Sequence, residues 1–348
     1  MERDKGRTER QRPIERAPGA VTAQDVANFV GVSQATVSRA FTPGGKVSPA
    51  LRDRVMAAAR ELGYQPNILA RGLTSGRSNL VALLIEARTN LLYPELLYEV
   101  SERLAEQGYH VLLFTIGGDR SIADVADRIL SHRVDAALTT AAITADLAER
   151  FDERGIPLVL FNRVLEAQTS SVCCNYREGA RSMVGRLLAA GHQRFAVISG
   201  PASSYIGEEA VAGAVARLAA AGINDPVVVR LPYLYSSAEP ALAQIRATLG
   251  GKWPDALLCI NDTVALGCID RLRAEGVDVP EQVSVVGFGV VNPTQGPNHK
   301  LTFTRQPVER MVAAAIDLLL ARIEDPTLPA EQRFFFGEFH SGATARLV

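Results

Sequence analysis

The stretch VTAQDVANFVGVSQATVSRAF, residues 21–41, decides how the front of this chain is read. Thr22 with Asp25 three positions on has the form of a capping box, and Val26, Ala27, Phe29 and Val30 follow as one apolar helical face. Gly31 permits a sharp turn. Ser33 suits the cap of a second helix whose buried side is Val37 and Phe41. Gln34, Ala35, Thr36, Ser38 and Arg39 are then left on or near its outer surface. Two short helices about a glycine turn have the form of a helix-turn-helix, whose second helix enters the major groove. Gln34 has the geometry for bidentate contact with adenine, and Arg39 for guanine or phosphate. Ser33, Thr36 and Ser38 are short donors that let the backbone approach. A purely structural helical hairpin satisfies the same spacing, so this stretch alone leaves both readings open.

Working outward, VSPALRDRVMAAARELGY (residues 47–64) predicts a third helix: Ser48 caps it, Pro49 takes its first position and Gly63 ends it. Leu51, Val55, Ala59 and Leu62 form its apolar stripe. Three helices in so short a segment make a minimal core, marginal without a partner or tether. Ahead of them, residues 1–20 carry charges of both signs without periodicity and read as a disordered leader.

From residue 79 the rhythm changes. The apolar runs NLVALLIEA, YHVLLFT, VDAALTT and PLVLFN alternate with amphipathic segments, and RFAVISG, VVVRL, ALLCIND and VSVVGFG form a second set. Short continuous apolar strands separated by helices imply parallel sheets covered on both faces. The expected fold is therefore a small all-α helix-turn-helix headpiece (21–66) followed by an α/β core (78–348) of two doubly wound subdomains. Residues 67–77 are expected to form a hinge helix and linker, and the subdomains to span roughly 78–162 with 292–324, and 163–291 with 325–348. A ligand cleft belongs at the carboxyl ends of such strands.

At 348 residues the chain exceeds one average domain, and no segment approaches the roughly 18 to 20 consecutive apolar residues of a membrane span. The N-terminus has no apolar h-region, so a cytoplasmic, nucleoid-associated location is expected. Cys173, Cys174, Cys259 and Cys268 have no CxxC spacing and read as buried reduced thiols. Residues 21–77 carry seven basic and three acidic side chains against a whole-chain net charge of -1, so a basic front sits on an acidic body. That asymmetry suits a polyanionic partner for the front alone. An enzyme finds little support: TPGGKV lacks P-loop spacing, no GxSxG occurs, and no metal or cofactor is implied.

The segment TAQDVANFVGVSQATVSRAF, continued by VSPALRDRVMAAARELGYQPNILARGL, resembles the headpiece of the lactose-repressor (LacI/GalR) family. GHQRFAVISGP, INDTVALGCIDRLRAEGVDVPEQVSVVGF and LTFTRQPVERM resemble landmarks of the same family. The likeness covers nearly everything after residue 21. It implies a core similar to periplasmic sugar-binding proteins, a homodimer, a palindromic double-stranded operator and repression modulated by a small-molecule effector. By residue-wise match it places Thr22, Ser33, Gln34, Ala35, Thr36, Ser38, Arg39, Lys46 and Ser48 at DNA, with Tyr64, Asn67 and Ala70 in the hinge region. Leu73 matches a wedge leucine inserted into the central base step, and apolar wedges kink DNA by unstacking it. Gly72 beside it lowers helix propensity by about 1 kcal/mol, so the hinge helix is expected to order only on DNA.

In the pocket the resemblance frays. Ala210 stands where sugar-binding members carry an arginine, Gly289 where they carry an aspartate, and Cys174 where an aspartate precedes Asn175. The family's NPFF pattern has become NLLY. Losing these groups removes the usual partners of vicinal hydroxyls, so the effector is not expected to be a typical neutral sugar. Glu86, Tyr93, Arg163, Tyr235, Asn261 and Phe288 remain as candidate effector residues, each equally able to serve as a structural salt bridge or packed aromatic. Two alternatives follow: a regulator of the same fold that has lost small-molecule sensing, and a solute-binding protein, against which the helix-turn-helix argues.

Overall fold

The computed structural model describes residues 21–42, 44–65, 77–86, 92–117, 121–165, 169–289 and 299–347. Contacts divide the chain into two units, Met1–Gly76 and Arg77–Val348.

The first unit holds α1 (Ala23–Val30), α2 (Gln34–Phe41) and α3 (Pro49–Leu62). Thr22 and Asp25 form the reciprocal capping box, Gly31 takes a left-handed φ of 78°, and the Ser33 and Ser48 hydroxyls accept from the amides of Thr36 and Leu51. The core is Val26, Ala27, Val37, Ala40, Val55, Ala58 and Ala59. Two details differ from the sequence reading. Phe29 is 55% exposed, because at 100° per residue it lies roughly 110° from the centre of the Val26, Ala27 and Val30 face. Ala40 joins Val37 in the core, while Phe41 is half-buried and meets Tyr64 edge-on with ring centroids 5.6 Å apart. Arg54 donates to the Val30 carbonyl at 3.2 Å, tying α3 to the end of α1.

In the second unit, β1 (Leu80–Glu86), α4 (Leu92–Glu106), β2 (His110–Ile116), α5 (Ile122–Ser131), β3 (Ala136–Thr139), α6 (Ala145–Asp152), β4 (Leu158–Phe161) and β5 (Ser170–Cys174) come first. Then follow α7 (Tyr176–Ala189), β6 (Phe195–Ser199), α8 (Tyr205–Ala219), β7 (Val227–Arg230), a 3-10 turn (Tyr235–Ser237), α9 (Ala238–Thr248), β8 (Ala256–Cys259), α10 (Asp262–Ala274) and β9 (Ser284–Gly289). The chain closes with β10 (Thr302–Arg305), α11 (Val308–Glu324), β11 (Gln332–Phe335) and β12 (Glu338–His340). They build two six-stranded sheets, ordered β11-β5-β4-β3-β1-β2 and β12-β10-β9-β8-β6-β7. All pairings are parallel except β10 with β12.

The sheets correct the expected subdomain bounds. Ser170–Cys174 and Gln332–Phe335 belong to the first sheet, and Thr302–Arg305 to the second. The physical reason is register: β5 pairs β4 through Leu160 and Ser171, so its small polar residues extend the first sheet, and β11 pairs β5 in turn. The chain therefore passes between the sheets three times, after β5, after β10 and after β11. One apolar cluster runs through both halves, joining Leu83, Leu138 and Phe161 of the first to Val197, Leu258 and Val286 of the second. Among the described residues no helix is long and apolar enough to cross a membrane.

Candidate functional site

The outer side of α2 carries Gln34, Ala35, Ser38 and Arg39, all exposed, with Thr36 half-exposed beside them. The surface is organised by the chain itself. The Ser33 and Thr36 hydroxyls are 2.9 Å apart, and Arg39 folds back along the helix, donating to the Ala35 carbonyl at 3.2 Å and to Thr36 Oγ1 at 3.4 Å. Two of its nitrogens are thus tied to the first turn of its own helix. Lys46 and Ser48 are exposed on the segment between α2 and α3. Thr22 donates to the Asp25 carboxylate at 2.7 Å, so its hydroxyl is occupied in fixing the start of α1. Asn67, Ala70 and Leu73 lie outside the described residues, as does the side chain of Tyr93.

At the strand ends of the second unit, Arg163 is the hub. It donates from Nε to the Thr140 carbonyl at 2.8 Å and from Nη1 to the Ser203 carbonyl at 3.2 Å, and its Nη2 lies 3.5 Å from Glu86 Oε1. Thr140 follows β3 and Ser203 precedes α8, so one guanidinium spans the two sheets across the cleft. Asn261 is buried and caps α10 by accepting from the Val264 amide at 3.2 Å. Glu86, Arg163 and Asn261 therefore stand at strand ends as expected.

Two other candidates do not face the cleft. Phe288 is 4% exposed and stacks on Tyr176 with centroids 5.4 Å apart, which makes it packing. Tyr235 donates to Asp270 Oδ2 at 2.6 Å, and Asp270 also holds His299 Nε2 at 2.9 Å. Asp270 lies about 12 Å along α10 from the cleft end, so that hydroxyl is drawn away from the strand ends.

Asn162 stands beside Arg163 at the end of an apolar strand in the sequence, and its partners emerge only in three dimensions. Asn162, with φ of 56°, donates to Gln306 at 2.6 Å and accepts from the Cys174 amide at 3.0 Å, while Gln306 donates to the Tyr176 hydroxyl at 2.5 Å. This buried network sits where the chain changes sheets. Burial, with the neighbouring thiol of Cys174, pushes the Cys173 thiol up to about 12, and burial does the same to Cys174. At Gly289, a Cβ would run into the buried Asp262 carboxylate. Among the described residues no group of His, Cys, Asp and Glu is placed to hold a metal.

Residues 22–67 match the model for bacterial regulatory proteins of the lacI family, and residues 184–344 match a periplasmic binding protein-like domain. The repressor PurR of Vibrio campbellii is 31% identical over 310 residues, covering 87% of this chain and 92% of that one. The chain belongs to the lacI family. Among solved structures, the lac repressor dimer bound to operator and the anti-inducer ONPF superposes with a TM-score of 0.84 at 24% identity, covering 94% of this chain and 99% of that one, a likeness of fold. The complex of the regulator CelR with cellobiose gives a TM-score of 0.70 at 29% identity, covering 93% of this chain and 99% of that one. As a lacI-family protein the chain is a DNA-binding transcriptional regulator, with a helix-turn-helix headpiece and a two-sheet effector-type core.

Proposed function

We propose that this lacI-family regulator represses transcription by binding a palindromic operator as a homodimer, and that a small molecule held between the two sheets changes its operator affinity. The observation that carries the DNA half is the surface of α2, where Arg39 is braced along its own helix and Gln34 is exposed, able to reach a base edge. Gln34 and Ala35 set sequence specificity, while Ser33, Thr36, Ser38, Lys46 and Ser48 position the helix through phosphates. Tyr64, Asn67 and Ala70 act in the hinge region, and Leu73 wedges the central step.

Among solved relatives, CelR is seen in complex with cellobiose. In this chain Ala210 is fully buried and apolar, and Gly289 has no room for a side chain, so two groups suited to a neutral sugar are absent. The effector is a non-sugar metabolite, met by Glu86, Arg163 and Asn261. A second reading, a regulator without small-molecule control, is favoured by Arg163, whose guanidinium already reaches three protein oxygens. Operator selection from random duplexes followed by a metabolite screen by thermal shift tests both. A palindrome enriched together with a stabilising metabolite that alters gel-shift affinity supports the first reading. A palindrome with silence across carboxylates, phosphates, amines and sugars supports the second.

A further inference from the structure

The second sheet's wall of the cleft contains a small cluster of hydroxyls. Ser199 ends β6, Ser204 caps the fifteen-residue helix α8, and Tyr233 comes from the irregular segment after β7. A Cβ built on Gly207 would lie 2.7 Å from Ser199 Oγ, 2.8 Å from the Tyr233 hydroxyl and 3.1 Å from Ser204 Oγ, so three oxygens converge on one point in the first turn of the helix. Tyr233 and Ser204 are hydrogen-bonded at 3.1 Å, and the Gly207 amide donates to Ser204 Oγ at 3.2 Å. The Tyr233 ring lies against the Cα of Gly200, where any side chain would collide with it.

Ser199 is 1% exposed, yet its Oγ has no hydrogen-bond partner; it approaches the phenol without the geometry of a bond. A buried hydroxyl left unmatched costs free energy and marks a place where an acceptor oxygen is accommodated imperfectly. The N-terminus of a helix adds exposed amides and the positive end of the backbone dipole, which favour a negatively charged oxygen over a neutral phenol. Burial raises the pKa of the Tyr233 phenol, so it presents a neutral oxygen there. Glu208, the residue after Gly207, is paired with Arg230 through bonds of 2.8 and 3.0 Å.

We propose that Tyr233 is an internal ligand of the cleft: its phenol fills a cradle made by Ser199, Ser204 and the start of α8, which takes the oxyanion of an effector once the tyrosine swings aside. The inference rests on reading the cleft as the effector site, and it names the effector's chemistry as a small molecule bearing a carboxylate or phosphate. The tyrosine occupies the cradle without an effector, and displacing it frees the segment that leads into α9.

The test uses the full chain without DNA, titrated calorimetrically with inorganic phosphate and with acetate. Tyr233→Ala is expected to bind one of the two at least tenfold more tightly than the parent, and adding Ser199→Ala is expected to abolish the gain. A gain for phosphate alone or for acetate alone supports the cradle and identifies which anion it prefers. Equal or absent binding of both anions by the parent and Tyr233→Ala overturns the proposal. If Tyr233→Ala fails to fold, Tyr233→Phe keeps the ring and removes the oxygen; its melting temperature is expected to rise more with phosphate or acetate than the parent's, and an unchanged response to both overturns the idea. Gel shifts on the same variants report operator binding separately, so failure of the cradle is distinct from failure of the regulator reading.

Discussion

The carboxylate of Asp262, at the first position of α10, occupies the space into which any side chain on Gly289 would project. Both lie at strand ends of the second sheet, and Asp262 is buried. An aspartate placed at 289 would therefore lack room as well as face a buried like charge, and it cannot be introduced alone.

Gly289→Ala is expected to destabilise the chain by about 1–3 kcal/mol through overpacking, and Gly289→Asp by more, since it adds a second buried carboxylate. Urea unfolding measures both. Pairing Gly289→Asp with Asp262→Gly should recover part of the loss; parental stability in Gly289→Ala alone would show that the close approach is not real.

Arg39→Ala should weaken operator binding by at least about 1 kcal/mol and leave thermal stability nearly unchanged, because its partners within the protein are on its own exposed helix. A gel shift at fixed salt reads the first, a melting curve the second. Undiminished affinity would remove α2 from the groove.

Leu73→Ala should reduce operator affinity and DNA bending together, as expected of an apolar wedge. Fluorescence transfer across a doubly labelled operator reports the bend; a full bend with the alanine in place contradicts the wedge.

Arg163→Gln removes donors to Thr140 and Ser203 and the partner of Glu86, and should cost about 1.5–3 kcal/mol while letting the two sheets part. Small-angle scattering of the unliganded protein should give a larger radius of gyration than the parent. An identical radius would mean that the bridge does not hold the cleft.

The thiols of Cys173 and Cys174, both raised to about 12, stay protonated at pH 8, since a raised thiol pKa leaves the reactive thiolate scarce until the pH approaches it. A chromogenic disulfide reagent should see neither until denaturant is added. Immediate reaction of the native protein would show that they are accessible.

The headpiece was almost entirely legible because its signals are local: Thr22, Ser33 and Ser48 cap their helices within three residues of themselves. Phe29 escaped because an eight-residue helix shows too few turns to separate the edge of a face from its centre. The strands were legible as runs, but their allocation was not, since β5 reads SSVCC and acquires its place only from its pairing with β4 and β11. Arg163 stood out as a charge beside an apolar strand, whereas Tyr233 and Ser199 did not. Their meeting depends on the distance between the end of β6 and the segment after β7, which spacing in sequence does not encode. Tyr235 and Phe288 are aromatic and near strand ends, but tertiary partners draw both elsewhere.

The three passages between the sheets carry a consequence for dissecting the molecule. Each sheet draws its strands from separate parts of the chain, β11 closing one edge of the first and β12 one edge of the second. No single cut yields two complete halves, and deleting the stretch from Gln332 onward strips an edge strand from both sheets at once. A split-protein reporter built on this core must therefore reassemble by strand addition, and a graft that exchanges effector specificity with a relative must move several discontinuous segments together.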